Sequence, residues 1–508
     1  MRASQTVHSQ LPTRSDWLDS LPFGREHRKL LVGSGVGWAL DAMDVGLISY
    51  VMAALVAEWS LSNTQASWLG SIGFVGMMIG ASVGGLLADK WGRRNVFALT
   101  LLTYGIATGA AAFSVGLVML LILRFIVGVG LGAELPVAST LVSEFAPRKN
   151  RGRIVVALES FWAVGWIMSA LLGYFLVPKE WGGWPGWRWA LLVGIVPAIY
   201  ALVVRHGLPE SVRFLESRGR LAEAECSVRL FEKGSSRNST VPFDEAVALT
   251  PTSVAKGDAA EDTSERGTST DVSAGDTSTR NRPGEDATGT TAGESSIFSA
   301  HMRGRTTALW VVWFFVNLAY YGAFTWMPTL LYLQGHSLVK SFEFTLMMTL
   351  AQLPGYAAAA WLIEKWGRRL TLSVFLCGSA VSAILFGLQS GATGIIVTGL
   401  LLSFFNLGAW GALYAIGPEI YPTAMRGTGT GAAAAVGRVA GVVAPLIVPI
   451  ILEWGSTPLV FIGLHYFRRV ILHRGCWCCG SAGATQPGHG GVSGVLREYN
   501  DKPLATTS

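Results

Sequence analysis

Three charged residues lie inside segments that are otherwise apolar. Asp41 and Asp44 are three positions apart in LDAMDVGLIS, so a helix would place them on one face. Arg124 lies within LILRFIVGVG. A charge in the apolar part of a membrane is costly unless it is paired or faces water. Each of these residues must therefore be paired or face water, which makes them candidates for a functional role.

In three of the apolar segments, polar and aromatic side chains recur at helical spacing and would form a stripe along one face of a helix. Aromatic stripes in membrane helices usually pack against other helices or face lipid, but each of these contains an amide or a carboxylate, which favours a polar cavity. Arg438, in AAAAVGRVAGVVAP, is the only cation deep in the second half of the sequence. Its guanidinium could bind a carboxylate whose aromatic ring stacks on indoles, and the alternative is that it pairs with Glu159 or with another helix. The stripes are Glu159, Trp162 and Trp166; Trp313, Asn317, Tyr320 and Phe324; and Asn406, Trp410 and Tyr414.

The composition places these residues in a membrane. The chain has 508 residues, of which 51% are hydrophobic and 14% charged, whereas soluble domains carry about 25% charged residues. The net charge of +6 does not indicate nucleic acid, and the five Cys show no metal-binding spacing. Segments long enough to cross a bilayer lie near 30–57, 67–88, 95–116, 117–142, 152–177 and 187–206, and then near 305–334, 342–364, 370–390, 392–418 and 427–453, with a defective candidate from 458.

Two charged loops recur at one offset along the chain. LLADKWGRR and LIEKWGRR place Gly92 and Gly367 275 positions apart, and EFAPRKNRG and EIYPTAMRG show the same offset between Glu144 and Glu419. Basic flanks that anchor helices would explain the charges but not the shared spacing. The offset therefore predicts two six-helix halves related by duplication.

The basic residues predict an orientation in the membrane. They lie in alternate short loops, which puts both termini and the central interval in the cytoplasm. Residues from about 236 to 296 are mostly Ser, Thr, Gly and acidic, so we expect a disordered tether there. The predicted divisions are an N-terminal tail at 1–29, a first half at 30–206, a linker at 207–304, a second half at 305–475 and an aberrant tail at 476–508.

The chain resembles the major facilitator superfamily from residue 25 to about 465. GLLADKWGRR matches the signature loop of that superfamily, and LRFIVGVGLGAELP and PESVRFLESRGRLAEA resemble stretches of its sugar-porter-like members. The resemblance implies an all-α membrane protein with two six-helix halves, a monomer in membrane lipid that binds a small molecule and a proton and needs no cofactor. It also implies a gate on the cytoplasmic side, formed by Gly85, Asp89, Gly92, Arg93, Arg94, Glu144, Arg151, Glu364, Arg368, Glu419 and Arg426.

The resemblance also implies a role for the buried charges. Asp44 stands where sugar porters have a proton acceptor, and Arg124 stands where they have its partner. Deprotonated Asp44 would pair with Arg124, and protonated Asp44 would release it, which would change the relative stability of two access states. Asp41 is either a second titrating group or part of the wall of a water-filled cavity.

Two stretches point to the cargo. ALESFWAVGWIMSALLGY and GAELPV resemble the metabolite:proton symporters that include niacin permeases, and Glu159 replaces a Gln of sugar porters. We therefore expect symport of a small aromatic carboxylate, such as nicotinate or benzoate, across the cell membrane.

The alternatives to this function are a sugar or polyol porter, a proton antiporter that exports aromatic cations, and a transporter-like protein that moves nothing. Nothing indicates an enzyme. Glu134 either lines the cavity or braces a bent helix.

The sequence of the twelfth helix is anomalous. By the offset it should occupy about 462–481, where IGLHYFRRVILHRGCWCCGS contains three arginines. We interpret this stretch as a shift of the reading frame near His465. A genuine short final helix, or a Cys cluster that is palmitoylated or binds a metal, is the alternative.

Overall fold

The computed structural model describes residues 13–148, 151–234, 297–299, 302–389, 391–421 and 425–454. Almost all of these residues are helical, as the apolar spans predict. One hairpin, in which Glu180–Trp181 (β1) pairs antiparallel with Trp184–Pro185 (β2), is the only sheet in this part of the chain.

The first half of the chain forms a bundle with short helices at its edge. Gly92, at a φ of +92°, ends one long helix and begins the next. Pro197 cannot continue a helix from Val193, four residues earlier, and the helix there ends at that residue. The helices are α1 Arg14–Ser20, α2 Arg25–Glu58, α3 Asn63–Trp91, α4 Arg93–Ala111, α5 Leu117–Phe145, α6 Arg151–Phe175, α7 Gly186–Val193, α8 Val196–Gly207, α9 Val212–Ser217 and α10 Leu221–Gly234.

The second half also consists mainly of long helices. The span predicted at 342–364 is divided into two helices because Pro354 cannot continue a helix from Leu350. The helices are α11 Arg303–Leu333, α12 Leu338–Leu350, α13 Gln352–Trp366, α14 Arg368–Gly387, α15 Ala392–Ile420 and α16 Arg426–Trp454.

Ten spans among the described residues are long and apolar enough to cross a membrane. They correspond to ten of the eleven complete spans predicted from the sequence. The remaining one, at 95–116, forms α4, which is less apolar because Arg93, Arg94 and Asn95 lie in its first turn.

The two halves pack against each other mainly where α2 meets α11, α3 meets α16 and α6 meets α12. Smaller contacts join α6 to α13 and α15, and α2 to α12. The Ser71 hydroxyl donates to the carbonyl of Val442 at 3.0 Å, and the rings of Tyr50 and Phe342 meet edge to face at 5.3 Å. The space between the halves is therefore walled by helices from both.

Three short helices, α1, α9 and α10, cover one end of the first half. This is the end of the bundle that carries Gly92 and Gly367, and we call it the basic end. Arg14 on α1 forms ion pairs with Glu216 on α9 at 3.1 Å and with Glu225 on α10 at 3.2 Å. Thr13 caps α1 and donates hydrogen bonds from its hydroxyl and its backbone N–H to Asp16, which lowers the pKa of that carboxyl. These helices lie within the predicted tail and linker.

Several predictions fall outside the described residues. They are the disordered tether at 236–296, the twelfth helix from 458, the frame shift near His465 and the tail at 476–508. The relation of the two halves by duplication stays a prediction from the sequence.

Candidate functional site

Asp44 lies near the middle of α2 and is fully buried. Arg124 on α5 donates from Nη1 to Asp44 Oδ2 at 2.9 Å, and the Thr108 hydroxyl on α4 donates to Asp44 Oδ1 at 2.6 Å. Both carboxylate oxygens are therefore occupied, as suits an ionised carboxylate. A proton on Asp44 would remove the charge that holds Arg124 in this position.

Asp41 and Glu134 form an acidic pair between α2 and α5. Asp41 is 3% exposed, Glu134 is fully buried, and the described residues provide no ion pair to either. Gly37 on α2 allows this approach, since a β-carbon there would lie 3.1 Å from Glu134 Oε1. Glu134 therefore faces α2 next to Asp41, and the Tyr104 side chain on α4 lies beside both carboxyl groups.

Aromatic rings from α6, α11 and α15 converge between the two halves. The centroid of the Tyr320 ring lies 5.4 Å from that of Trp166, 4.9 Å from that of Phe324 and 5.1 Å from that of Trp410. Trp162 donates its indole N–H to the Tyr320 hydroxyl at 3.3 Å. We call these five residues the aromatic cage. Its members come from all three stripes predicted from the sequence.

Two opposite charges lie beside the aromatic cage without forming a direct ion pair. Glu159 on α6 is 4% exposed, and Arg438 on α16 is half-buried. Their charges influence each other, yet no nitrogen of Arg438 lies within 4.0 Å of a Glu159 oxygen. Arg438 contacts the Met77 sulfur at 3.7 Å and lies beside Tyr321. Its guanidinium therefore has donors left for a ligand.

Side-chain amides occupy the wall near the aromatic cage. Asn317 donates to the carbonyl of Trp313 at 2.8 Å and packs against Gly437, the residue before Arg438. Asn406 is fully buried and has no hydrogen-bond partner among the described residues. Asn317 thus helps to place α16 against α11, whereas Asn406 keeps its whole amide available.

Gln352 and Tyr356 are polar groups that the sequence interpretation missed. Gln352 is fully buried at the start of α13, and neither polar atom of its amide has a partner in the described structure. Tyr356, one turn later, has an unpartnered hydroxyl and packs against Gly411 beside Trp410. The signal that could have identified Gln352 is its position within an apolar run just before Pro354.

At the basic end, the first copy of the repeated loop is held by a network. Arg93 pairs with Glu144 on α5 at 3.1 Å, and the Ser211 hydroxyl donates to the other oxygen of Glu144. The backbone N–H of Arg94 donates to Glu210 at 3.1 Å. The network joins α4, α5 and the segment before α9, so it holds three predicted gate residues of the first half, Arg93, Arg94 and Glu144.

The second copy of the loop is more open. A β-carbon on Gly92 would lie 2.5 Å from the Glu210 carboxylate, whereas one on Gly367 would have no neighbour within 4 Å. Both glycines have positive φ, +92° and +78°. The two loops share a backbone conformation but differ in packing.

The other predicted gate residues lie around these loops. Glu364 pairs with Arg153 on α6 at 2.8 Å, which links the two halves through exposed side chains. Arg151 donates to Asp19 on α1, which joins α6 to the N-terminal helix. The remaining residues are Gly85, where an added β-carbon would have no neighbour within 4 Å, Asp89 and Arg368, which are exposed, and Glu419 and Arg426, whose side chains lie outside the description.

No group of three or more His, Cys, Asp and Glu that could hold a metal ion occurs within the described ranges. What the site offers instead is a buried ion pair, an acidic pair, an aromatic cage and a guanidinium without a carboxylate partner. This arrangement can bind an anion with an aromatic ring and can bind and release a proton.

Comparison with known proteins gives one family and several relatives. Residues 35–445 match the family described as Major Facilitator Superfamily. The niacin transporter NiaP of Acinetobacter baylyi is 44% identical over 431 residues, which cover 85% of this chain and 88% of that protein. The putative niacin/nicotinamide transporter NiaP of Bacillus subtilis is 43% identical, with 83% and 88% covered. Organic cation/carnitine transporter 7 of Arabidopsis thaliana is 32% identical, with 86% and 87% covered.

The solved structures agree with the fold. The partially occluded inward-open xylose transporter XylE from E. coli superposes with a TM-score of 0.66 at 16% identity, covering 88% of this chain and 97% of that one. At that identity the likeness shows the fold alone. The major facilitator fold predicted from the sequence is confirmed, and the relatives are named as transporters rather than enzymes.

Proposed function

The chain belongs to the major facilitator superfamily, and from that premise we propose that it imports a small aromatic carboxylate, with nicotinate as the first candidate, together with a proton. It is a multi-pass membrane transporter of a small molecule. The rest of the proposal concerns its cargo, its coupling ion and its orientation.

The observation that carries the cargo proposal is Arg438 beside the aromatic cage. A guanidinium binds a carboxylate through two parallel hydrogen bonds, and indole and phenol rings stack on an aromatic ring. Arg438 has no carboxylate partner among the described residues, although Glu159 is nearby. A ligand carboxylate would supply that partner. The name of the Acinetobacter relative refers to niacin and supports the same ligand, whereas that of the Bacillus relative refers to both niacin and nicotinamide and supports the pyridine ring without deciding on the carboxylate.

The coupling proposal rests on the buried ion pair. Thr108 and Arg124 donate to the two carboxylate oxygens of Asp44, and we assign this arrangement to the deprotonated state of the transporter. Protonation of Asp44 would free Arg124 and weaken this link between α2 and α5. We propose that the cargo and the proton bind together from one side and that loss of the proton on the other side restores the pair.

The basic end is assigned to the cytoplasm under this proposal. The network around Arg93 and Glu144 would act within the first half, and the Arg153–Glu364 pair would link the halves when that end is closed. We further propose that the protein works as a monomer in the cell membrane with both termini in the cytoplasm.

A counterflow experiment tests the cargo. Proteoliposomes that contain the full chain are loaded with unlabelled nicotinate, and entry of labelled nicotinate is measured against external competitors. Nicotinamide is the matched control because it keeps the ring but lacks the carboxylate. We expect it to compete about tenfold less well than nicotinate, and we expect Arg438→Gln to abolish that difference. Equal competition by both compounds in the unmodified protein would contradict the role of Arg438.

The second candidate is a proton antiporter that exports aromatic cations. Glu159 favours it, because it places a buried carboxylate without an ion pair next to the aromatic cage. The name of the Arabidopsis relative, which refers to organic cations, points the same way. Competition by an aromatic amine that is stronger than that of nicotinate, and that disappears in Glu159→Gln, would select this candidate.

A further inference from the structure

The acidic pair of Asp41 and Glu134 is not used by the mechanism above. We infer that it is a second proton-binding site, which holds one proton between its two carboxyl groups and relays the proton that leaves Asp44. This inference rests on the proposed proton coupling and adds a route for the proton.

The first argument is charge. Asp41 and Glu134 are nine-tenths buried or more, and the described structure gives neither a cation within ion-pair distance. Two adjacent carboxylates in such a place cannot both be ionised without a large loss of solvation energy. One proton shared between them removes one charge and provides a hydrogen bond to the other.

The second argument is a hydroxyl without a partner. Tyr104 on α4 is fully buried, its hydroxyl has no partner at ordinary hydrogen-bond distance among the described residues, and its side chain is directed toward Asp41 with Glu134 nearby. A phenol can donate to the charged member of the pair while the shared proton stays on the other. None of the predicted cargo residues lies on α4, so this phenol serves the acidic pair and not the aromatic cage.

The third argument is direction. Asp41 precedes Asp44 by three residues on α2, a step of about 4.5 Å toward the basic end. Glu134 follows Arg124 by ten residues on α5, about 15 Å further toward the same end. Tyr200 on α8 is close enough to Glu134 for that charge to act on it, and it donates its hydroxyl to the carbonyl of Gly33 at 2.7 Å. Protonatable groups therefore extend from the ion pair toward the basic end, inside the first half.

The surroundings of the acidic pair include all elements packed against it. Asp41 is influenced by Glu134 on α5, Tyr104 on α4, Asp44 on its own helix and, more weakly, Arg438 on α16. The charge of Glu134 also acts on Tyr200 on α8. The relay is balanced as follows: Asp44 gives its proton to a carboxylate oxygen of Asp41, and Glu134 releases the proton that the pair held. Asp44 is then free to re-form its ion pair with Arg124.

The test compares two assays on one set of proteoliposomes. Exchange of labelled for unlabelled nicotinate at equal pH needs no net proton movement, whereas uptake driven by an imposed proton gradient does. We expect Glu134→Gln to slow driven uptake by about 100-fold, the scale of a lost proton-transfer group, and to change exchange by about threefold or less. Glu58→Gln, at the opposite end of α2, is the matched control and should leave both rates near those of the unmodified protein.

A conservative variant separates a relay from a structural role. Glu134→Asp keeps a carboxyl group, so we expect driven uptake to persist with a displaced pH profile. If Glu134→Gln does not yield folded protein, a Glu134→Asp variant with an unchanged pH profile would overturn the inference. Equal loss of exchange and driven uptake in folded Glu134→Gln protein would also overturn it, because that result indicates a structural role.

The remaining outcomes distinguish this inference from the proposed function. Full driven uptake in Glu134→Gln together with its loss in Asp44→Asn would refute the relay and leave the proposed coupling intact. Driven uptake that persists in Asp44→Asn would refute the coupling itself. Uptake that follows an imposed sodium gradient at constant pH, and that is lost in Glu134→Gln, would show that the acidic pair binds sodium instead.

Discussion

The two halves of the transporter share a loop sequence at a constant offset but bury different chemistry. In the first half, α2, α4 and α5 enclose Asp44, Arg124, Asp41 and Glu134. In the described second half, the buried polar residues are hydroxyls and amides, and the one deep cation, Arg438, is only half-buried. Under the proposed function, the first half binds the proton and the second half supplies most of the groups that bind the cargo.

The largest expected effect comes from neutralising Asp44, a buried charge of the first half. Asp44→Asn should still exchange nicotinate but should no longer concentrate it, because the variant cannot alternate between a charged and a neutral side chain. With an imposed difference of about two pH units, accumulation should fall from about 100-fold to equal concentrations on both sides. The measurement is the steady-state accumulation of nicotinate in proteoliposomes. If Asp44→Asn also lost nicotinate exchange, proton binding in the first half could no longer be separated from cargo binding.

The next effect concerns the cation of the second half. Arg438→Gln should weaken nicotinate binding by about 30-fold, since a charged bidentate hydrogen bond contributes roughly 2 kcal/mol. Arg438→Lys should recover part of this loss. Half-saturation in exchange is the measurement. Proton movement per nicotinate should stay the same in both variants, and a changed ratio would show that Arg438 also takes part in coupling.

The two copies of the repeated loop give a matched pair of stability tests. Alanine at either Gly92 or Gly367 must adopt a positive φ, which costs about 1–3 kcal/mol. Gly92→Ala would also collide with Glu210, whereas Gly367→Ala would meet open space. We therefore expect Gly92→Ala to lower the apparent Tm in detergent more than Gly367→Ala does. Equal shifts would mean that the first loop is no more tightly held than the second.

A smaller effect is expected for a single ring of the aromatic cage. Trp410→Phe keeps an aromatic ring beside Tyr320 but reduces its area, so nicotinate binding should weaken by about threefold to tenfold. Benzoate, which has a similar ring, should be affected equally. A loss for nicotinate alone would instead indicate that Trp410 recognises the ring nitrogen.

The smallest effect should come from the ion pair that joins the halves at the surface. Arg153 and Glu364 are both largely exposed, and such pairs contribute about 0–1 kcal/mol. Arg153→Gln should change driven uptake by about twofold or less. A much larger decrease, reversed by charge exchange in Arg153→Glu with Glu364→Arg, would raise this pair to an essential part of the gate.

Much of the scaffold could be predicted because membrane helices have a simple signature. A long apolar run must be helical in lipid, and an isolated charge such as Asp44 must find a partner, here Arg124. The stripes on α6, α11 and α15 could be predicted from spacing. The sequence could not show that Glu134 faces Asp41, because that contact depends on how closely α5 approaches Gly37.

The groups that escaped prediction are those whose side chains look ordinary in an apolar helix. Thr108 resembles a packing residue until it is seen to donate to Asp44. Gln352 and Tyr356 could not be predicted from the sequence, because the break between α12 and α13 sets which face of α13 meets the aromatic cage. The interpretation of the C-terminal stretch as frame-shifted stays a prediction, and sequencing the gene for a frame that encodes an apolar helix would test it.

The most direct test of the central claim is to follow external pH while nicotinate enters. Weakly buffered proteoliposomes or energy-depleted cells that contain the full chain are given nicotinate, and a pH electrode records the medium. Proton-coupled import predicts alkalinisation that accompanies uptake and disappears in Asp44→Asn. Nicotinate uptake without any change of external pH in the unmodified protein would contradict the proposed coupling.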